Sequence, residues 1–209
     1  MVVTAADRAG LTAVTFADQV TPETTWLPAY ADAVRRASQR TEMTLRVAAE
    51  IEVVRLDGWL AWPSDLSDID VVSVAMSRLP ISDGFAGPRE IRAMLANNSL
   101  RSSDLVEMVV SATMLAMERA TRYAPAQLAR PLSLLGQVGV DDADIGDEHL
   151  AHLVSGARAT HTPVEISEAW RSPSVRLARM LIEAGVPVLA ASDARYAAQV
   201  GQWQYVLEI

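Results

Sequence analysis

The chain has 209 residues, a length that suits one domain of ordinary size and leaves little room for two. Half of the residues are hydrophobic and 21% are charged, which excludes a disordered chain. Eighteen basic residues, every one an arginine, stand against 26 acidic ones, and the resulting net charge of −8 argues against a surface that coats nucleic acid. With no cysteine, disulfides, thiolate zinc sites and cysteine nucleophiles are excluded together.

The first twenty residues carry Asp7 and Arg8 where a signal peptide would place its apolar core, and no 18-residue apolar run follows, so a cytoplasmic protein with no membrane contact is expected. Short β-branched apolar runs alternate with longer segments whose apolar residues recur at three- and four-residue spacing, the pattern of an α/β fold. In chain order this predicts strands over residues 12–17, 45–53, 70–75, 127–130, 163–167 and 186–191, and helices over 28–40, 88–96, 103–123, 147–159 and 173–184. Most of these strands are too apolar to face water on one side, so a parallel sheet covered on both faces is expected. Ser103 and Asp104, followed by Glu107, suit a helix start. Pro173 after Ser172 suits the first turn of the last helix, and Gly185 suits its left-handed exit. Segment 79–88, LPISDGFAGP, reads as a long loop. His149 and His152 share a helix face without a third ligand at zinc spacing, and His161 precedes a strand, at the end away from the chemistry. Trp26, Trp59, Trp62, Trp170 and Trp203 fall in or beside loops, either as covers for the sheet ends or as anchors of a homodimer. Residues 1–209 read as one domain, with no repeat and no linker.

Six stretches taken in order carry a resemblance to a known family. Ala9-Gly10-Leu11 with Ala13-Val14-Thr15-Phe16-Ala17-Asp18-Gln19 looks like a strand that ends in Asp-His, with Gln19 in the histidine position. Ala48-Ala49-Glu50 followed by Asp57-Gly58 is similar to a Gly-x-Glu strand and its Asp-Gly turn. Asp70-Val71-Val72-Ser73-Val74-Ala75 resembles a strand ending in Ser-Val-His, and Arg130-Pro131 a His-Pro strand end. Val164-Glu165-Ile166-Ser167 and Ala190-Ala191-Ser192-Asp193-Ala194-Arg195 look like Glu-Ile-Asn and Ser-Asp-Ala-His strands. In this order they resemble the polymerase and histidinol phosphatase (PHP) family of metal-dependent phosphoesterases, over nearly the whole chain.

The resemblance implies a distorted (β/α)7 barrel of the TIM type, with two or three divalent metals at the strand ends that activate water against a phosphate ester. Four of the family's histidine positions read Gln19, Ala75, Arg130 and Arg195 here, while Glu50 and Asp193 keep acidic side chains. The opening His-x-His strand has no counterpart, since the chain starts at what resembles the helix after it. Alanine supplies no donor, and an arginine that is always protonated repels a cation, so neither metal nor other cofactor is expected. The resemblance therefore implies a domain that has lost phosphoesterase activity and binds an anionic small molecule, a phosphate or carboxylate, or a protein partner. Arg130 and Arg195 either bridge Glu50 and Asp193 or offer donor forks to the anion, with Asp18, Gln19, Glu165 and Arg171 lining the site. Glu52 competes with Glu50 for the Gly-x-Glu position, on the same strand face. The alternatives are an enzyme with metal-free acid–base chemistry through Glu50 or Asp193, and a residual metal-dependent phosphoesterase. A barrel short of a strand has two open edges, which residues 1–4 or a second copy are expected to cover.

Overall fold

All six predicted strands form, and they join in one sheet. The computed structural model describes every residue, Met1–Ile209. The elements run α1 Val2–Arg8, β1 Ala13–Val20, α2 Leu27–Ser38, β2 Thr44–Glu52, β3 Val71–Ala75, β4 Leu79–Ile81, β5 Gly84–Ala86, α3 Pro88–Ala96, α4 Ser102–Ala120, β6 Ala126–Leu128, α5 Ser133–Gln137, α6 Asp147–Ala159, β7 Val164–Ser167, α7 Val175–Glu183 and β8 Val188–Ala191. The main sheet is parallel, in the order β1-β2-β3-β6-β7-β8, and curls into a half-barrel.

Alternation along each strand divides the work of the sheet. Phe16, Leu45 and Val47 point to the helix side and pack with Ala31 and Val34 of α2. Val72, Val74, Leu128 and Val164 do the same in the main core, beside Leu105, Val109 and Val110 of α4 and Leu150 and Leu153 of α6. Because register mates in a parallel pair point the same way, the intervening residues share the opposite, concave face. Glu50 lies level with Gln19 on one side and Ser73 on the other, and Ser73 is level with Gln127. A half-barrel with its helices outside thus carries its polar side chains on the inside.

The closed seven-stranded barrel is not what forms. The sheet has six strands, and β8 does not return to pair with β1. Residues 1–4 supply no strand stub either, because Val2–Arg8 is helical. Its Ala6 packs with Met43 and Val200, and Leu11, Val14, Leu45 and Ala194 join them. Apolar packing thus links the N-terminal helix to the segment after β8 without the backbone pairing that would close the sheet. The expectation of strands covered on both faces holds for β2, β3, β6 and β7 and fails for β1, where only Val20 is buried, and for β8, where no residue is.

Three local expectations are corrected. Residues 79–86 form an antiparallel hairpin of β4 and β5, with Arg78 lying over the Phe85 ring. Helix α4 has no side-chain cap from Ser103 or Asp104; Arg101 precedes it, and its guanidinium holds the Asp104 carboxylate at 2.8 Å through two nitrogens. The last helix starts after Pro173, at Val175, and is capped by Ser174, whose hydroxyl accepts from the Leu177 N–H. Gly185 does leave α7 in the left-handed region, at φ 74°. No helix is long and apolar enough to cross a membrane.

Candidate functional site

The C-terminal ends of β2, β6, β7 and β8 bring charged side chains together on the concave face. Arg130, two residues past β6, donates from Nη2 to Oε1 of Glu50 at 2.5 Å, and the two side chains are only 16% and 13% exposed. Its guanidinium also lies over the ring of Trp170, 5.4 Å from the centroid. Glu165 of β7 is 6% exposed. Its Oε1 accepts from Nε2 of Gln127 at 2.6 Å and from the Ser73 hydroxyl at 3.3 Å. Asp193, two residues past β8, accepts a hydrogen bond from the Ser167 hydroxyl. Three side chains from β2, from β7 and from just past β6 thus converge from positions 50, 165 and 130, with Asp193 at the rim.

The backbone turns sharply just past three of the strands. Arg130, Arg171 and Asp193 all sit at positive φ, at 44°, 47° and 46°, just past β6, β7 and β8 respectively. Non-glycine residues in this region cost about 1 kcal/mol or more each and cluster where a side chain must be aimed.

Burial sets the electrostatics. It raises the Glu165 carboxyl to about 7, with the nearby charges of Asp193 and Glu50 adding to the rise and Arg130 and Gln127 opposing it. Burial also raises Glu50, against the pull of Arg130. Glu165 consequently holds its proton in the folded protein over a range in which the unfolded chain has released it. Stability from this group is present below the ordinary value of 4.5 and is lost as the pH rises to about 7. At about 1.4 kcal/mol per unit the loss is on the order of 3 kcal/mol. Glu165→Gln should flatten this part of the pH dependence and be more stable than the parent at pH 8, as measured by denaturant unfolding at pH 5 and pH 8; a variant that tracks the parent at both would refute the assignment.

The other predicted residues are placed as follows. Gln19 lies beside Glu50 on the concave face and is exposed. Asp18 points to the opposite, helix side, where its charge and burial push the Tyr30 hydroxyl up to about 12, burial being the larger cause. Arg171 pairs with Glu208 at 2.9 Å and lies over Tyr205, which ties the C-terminal segment to the β7 loop. Arg195 is exposed and its guanidinium makes no hydrogen bond or ion pair; its backbone N–H donates to Gln199. The structure therefore joins Arg130 to Glu50 and leaves the second predicted bridge, from Arg195 to Asp193, unformed. Glu52 is buried in a different task, accepting from the N–H groups of Ser77 and Arg78 and from the Ser77 hydroxyl, so it fixes the turn after β3. Ser73 and Gln127 complete the cluster without having been predicted. A polar residue in the middle of a short apolar strand was the available signal for Gln127.

The donor set does not fit a metal centre of the kind the resemblance implies. Of the four histidine positions, Gln19 offers one weak oxygen, Ala75 offers none, Arg130 puts a fixed cation against Glu50, and Arg195 is turned outward. No three His, Asp or Glu side chains come into metal-ligand geometry. The His149 ring does meet Glu107 at 3.0 Å across α6 and α4. A surface cleft of about 750 Å³ lies at the other end of the sheet, between α1 and residues such as Thr12, Arg40 and Met43. It contains no buried titratable group, so the strand-end cluster is the stronger candidate. Comparison with protein-family models and with curated proteins finds no match to this chain.

Proposed function

We propose that the protein is a PHP-like domain without the metal centre, and that its strand-end cluster binds a small molecule through an anionic group, a carboxylate or a phosphate. The observation that carries this reading is the posture of Arg130. Nη2 is held by Glu50, while Nε and Nη1 bond to no protein atom and are not sealed from solvent. Trp170 and Glu50 hold the guanidinium plane, so the N–H groups of Nε and Nη1 are donors whose directions are already set. Six parallel strand ends in the order that the resemblance implies support placing the ligand there.

Charge bookkeeping predicts how binding responds to pH. Arg130 offsets Glu50, which leaves Asp193 and Glu165 to repel an anion, and protonating Glu165 removes one of the two. Thermal unfolding with inorganic phosphate and with acetate at pH 6 and pH 8 tests the reading. Stabilisation of several degrees is expected at pH 6, at ligand concentrations of about a hundred times Kd. It should shrink at pH 8 and vanish in the Arg130→Gln/Glu50→Gln double variant, which removes the guanidinium without leaving a lone buried charge. No response to either anion at either pH, or an undiminished one in the double variant, would sink the proposal.

A second reading is favoured by one specific observation. A carboxyl raised to about 7 beside the carboxylates of Glu50 and Asp193 is suited to giving and taking protons at neutral pH, so the same site supports metal-free acid–base chemistry on a bound substrate.

A further inference from the structure

The two oxygens of Glu165 are in different situations. Oε1 is anchored by Gln127 and Ser73, both of which can donate to it. Oε2 has no hydrogen-bond partner, yet it is not sealed from solvent, although the residue as a whole is 6% exposed. An oxygen that already accepts two hydrogen bonds is a poor place for a proton, so a proton on Glu165 belongs on Oε2. That O–H has no protein acceptor, and Arg130, whose charge acts on the same carboxyl, has N–H groups on Nε and Nη1 that are likewise without a protein partner. The groups that face Glu165 are Glu50 from β2, Arg130 after β6 and Asp193 after β8, with neutral Ser73 and Gln127 beneath.

From this geometry we infer that the ligand is a carboxylate and that it binds together with one proton, which sits on Oε2 of Glu165 and is hydrogen-bonded to a ligand oxygen. The inference rests on the anion-binding reading above and sharpens it to a ligand class. A carboxylate is planar and carries one charge, so one of its oxygens can accept from an unused N–H of Arg130 while the other accepts from Glu165. Without the added proton, that second oxygen would face another carboxylate, which is repulsive. The balance is simple: protein, carboxylate and one proton from solvent give the complex, and no covalent bond is made or broken. Phosphate differs, because near neutral pH it can bring a proton of its own and need not draw one from solvent.

The test is calorimetric titration of the full chain with sodium acetate, and separately with inorganic phosphate, in HEPES and in Tris, whose ionisation heats differ. At pH 8 acetate should take up about one proton per molecule bound, falling toward zero at pH 6, and its affinity should weaken roughly tenfold per pH unit above the titration of Glu165. In Glu165→Gln the proton uptake and the pH dependence should both disappear. Acetate binding with no proton uptake, or phosphate binding where acetate does not bind, overturns this inference and leaves the anion-binding reading standing. Failure of both anions to bind overturns both.

Discussion

Arg130→Ala is expected to cost about 3 kcal/mol of stability at pH 8, because it strands a mostly buried carboxylate rather than because it deletes a strong bond. The Glu50–Arg130 contact is 2.5 Å long with both side chains under a fifth exposed, and desolvation already holds Glu50 above its ordinary range. Breaking one side of such a pair typically costs about 3–5 kcal/mol, while replacing both sides together is close to neutral. With the guanidinium gone, burial and the charges of Asp193 and Glu52 act on Glu50 unopposed, so its carboxyl rises further. The defect should therefore ease as the pH falls and Glu50 takes up a proton. Glu50→Gln placed in the Arg130→Ala background should restore most of the loss. Urea unfolding of the two variants at pH 5.5 and pH 8 decides the matter; an equal loss at both pH values, or no recovery in the double variant, would show that Arg130 supports the fold through its packing on Trp170 and not through charge.

Gly58→Ala should be about as damaging, for a purely steric reason. Gly58 sits at φ 78°, and a Cβ there would stand 2.5 Å from the backbone nitrogen of Ala116 and from the carbonyl carbon of Leu115. Those are atoms of α4, which cannot swing aside as a side chain does. Left-handed strain contributes about 1 kcal/mol and forced overpacking about 1–3 more. Gly185 provides the control, since its φ of 74° is nearly the same and nothing lies within 4 Å of its absent Cβ. Gly185→Ala should cost about 1 kcal/mol and Gly58→Ala about 3 kcal/mol. Equal losses in the two variants would mean that α4 yields, and that the close approach is not a constraint.

The α/β class could be read from the chain because the inner parallel strands bury runs of apolar residues against helices whose own apolar positions repeat every three to four residues. β2, with Val47, Ala49 and Ile51, is an instance. What escaped the reading depends on distant residues. The hairpin at Leu79–Ile81 and Gly84–Ala86 consists of two three-residue strands, too short for any period to register. Closure of the barrel depends on whether residues before β1 pair with β8, and their Ala-rich stretch instead finds Met43 and Val200 to pack on. At the site, Glu50, Glu165 and Asp193 could be named from the resemblance, and Arg130 as a bridge to Glu50, yet the partners of Glu165 and Asp193 could not. Arg130 reaches Glu50 across 80 residues of chain, and Gln127 and Ser73 reach Glu165 across 38 and 92. Asp18 went to the wrong face because the alternation along β1 puts Gln19, not its neighbour, beside Glu50. Arg195 had a suitable position and charge, but nothing in its local sequence shows that the loop would turn it outward.

That the six strands stop short of a ring bears on what chemistry the concave face can host. A sealed barrel can shut a substrate into a dry chamber, where a stray proton or a competing hydroxide is kept out for the length of a turnover. A trough open along one flank lets the bulk re-equilibrate every acid within it on demand. Such a surface suits reversible capture governed by concentration and acidity, and any step that needs a parched interior would have to borrow its roof from another molecule.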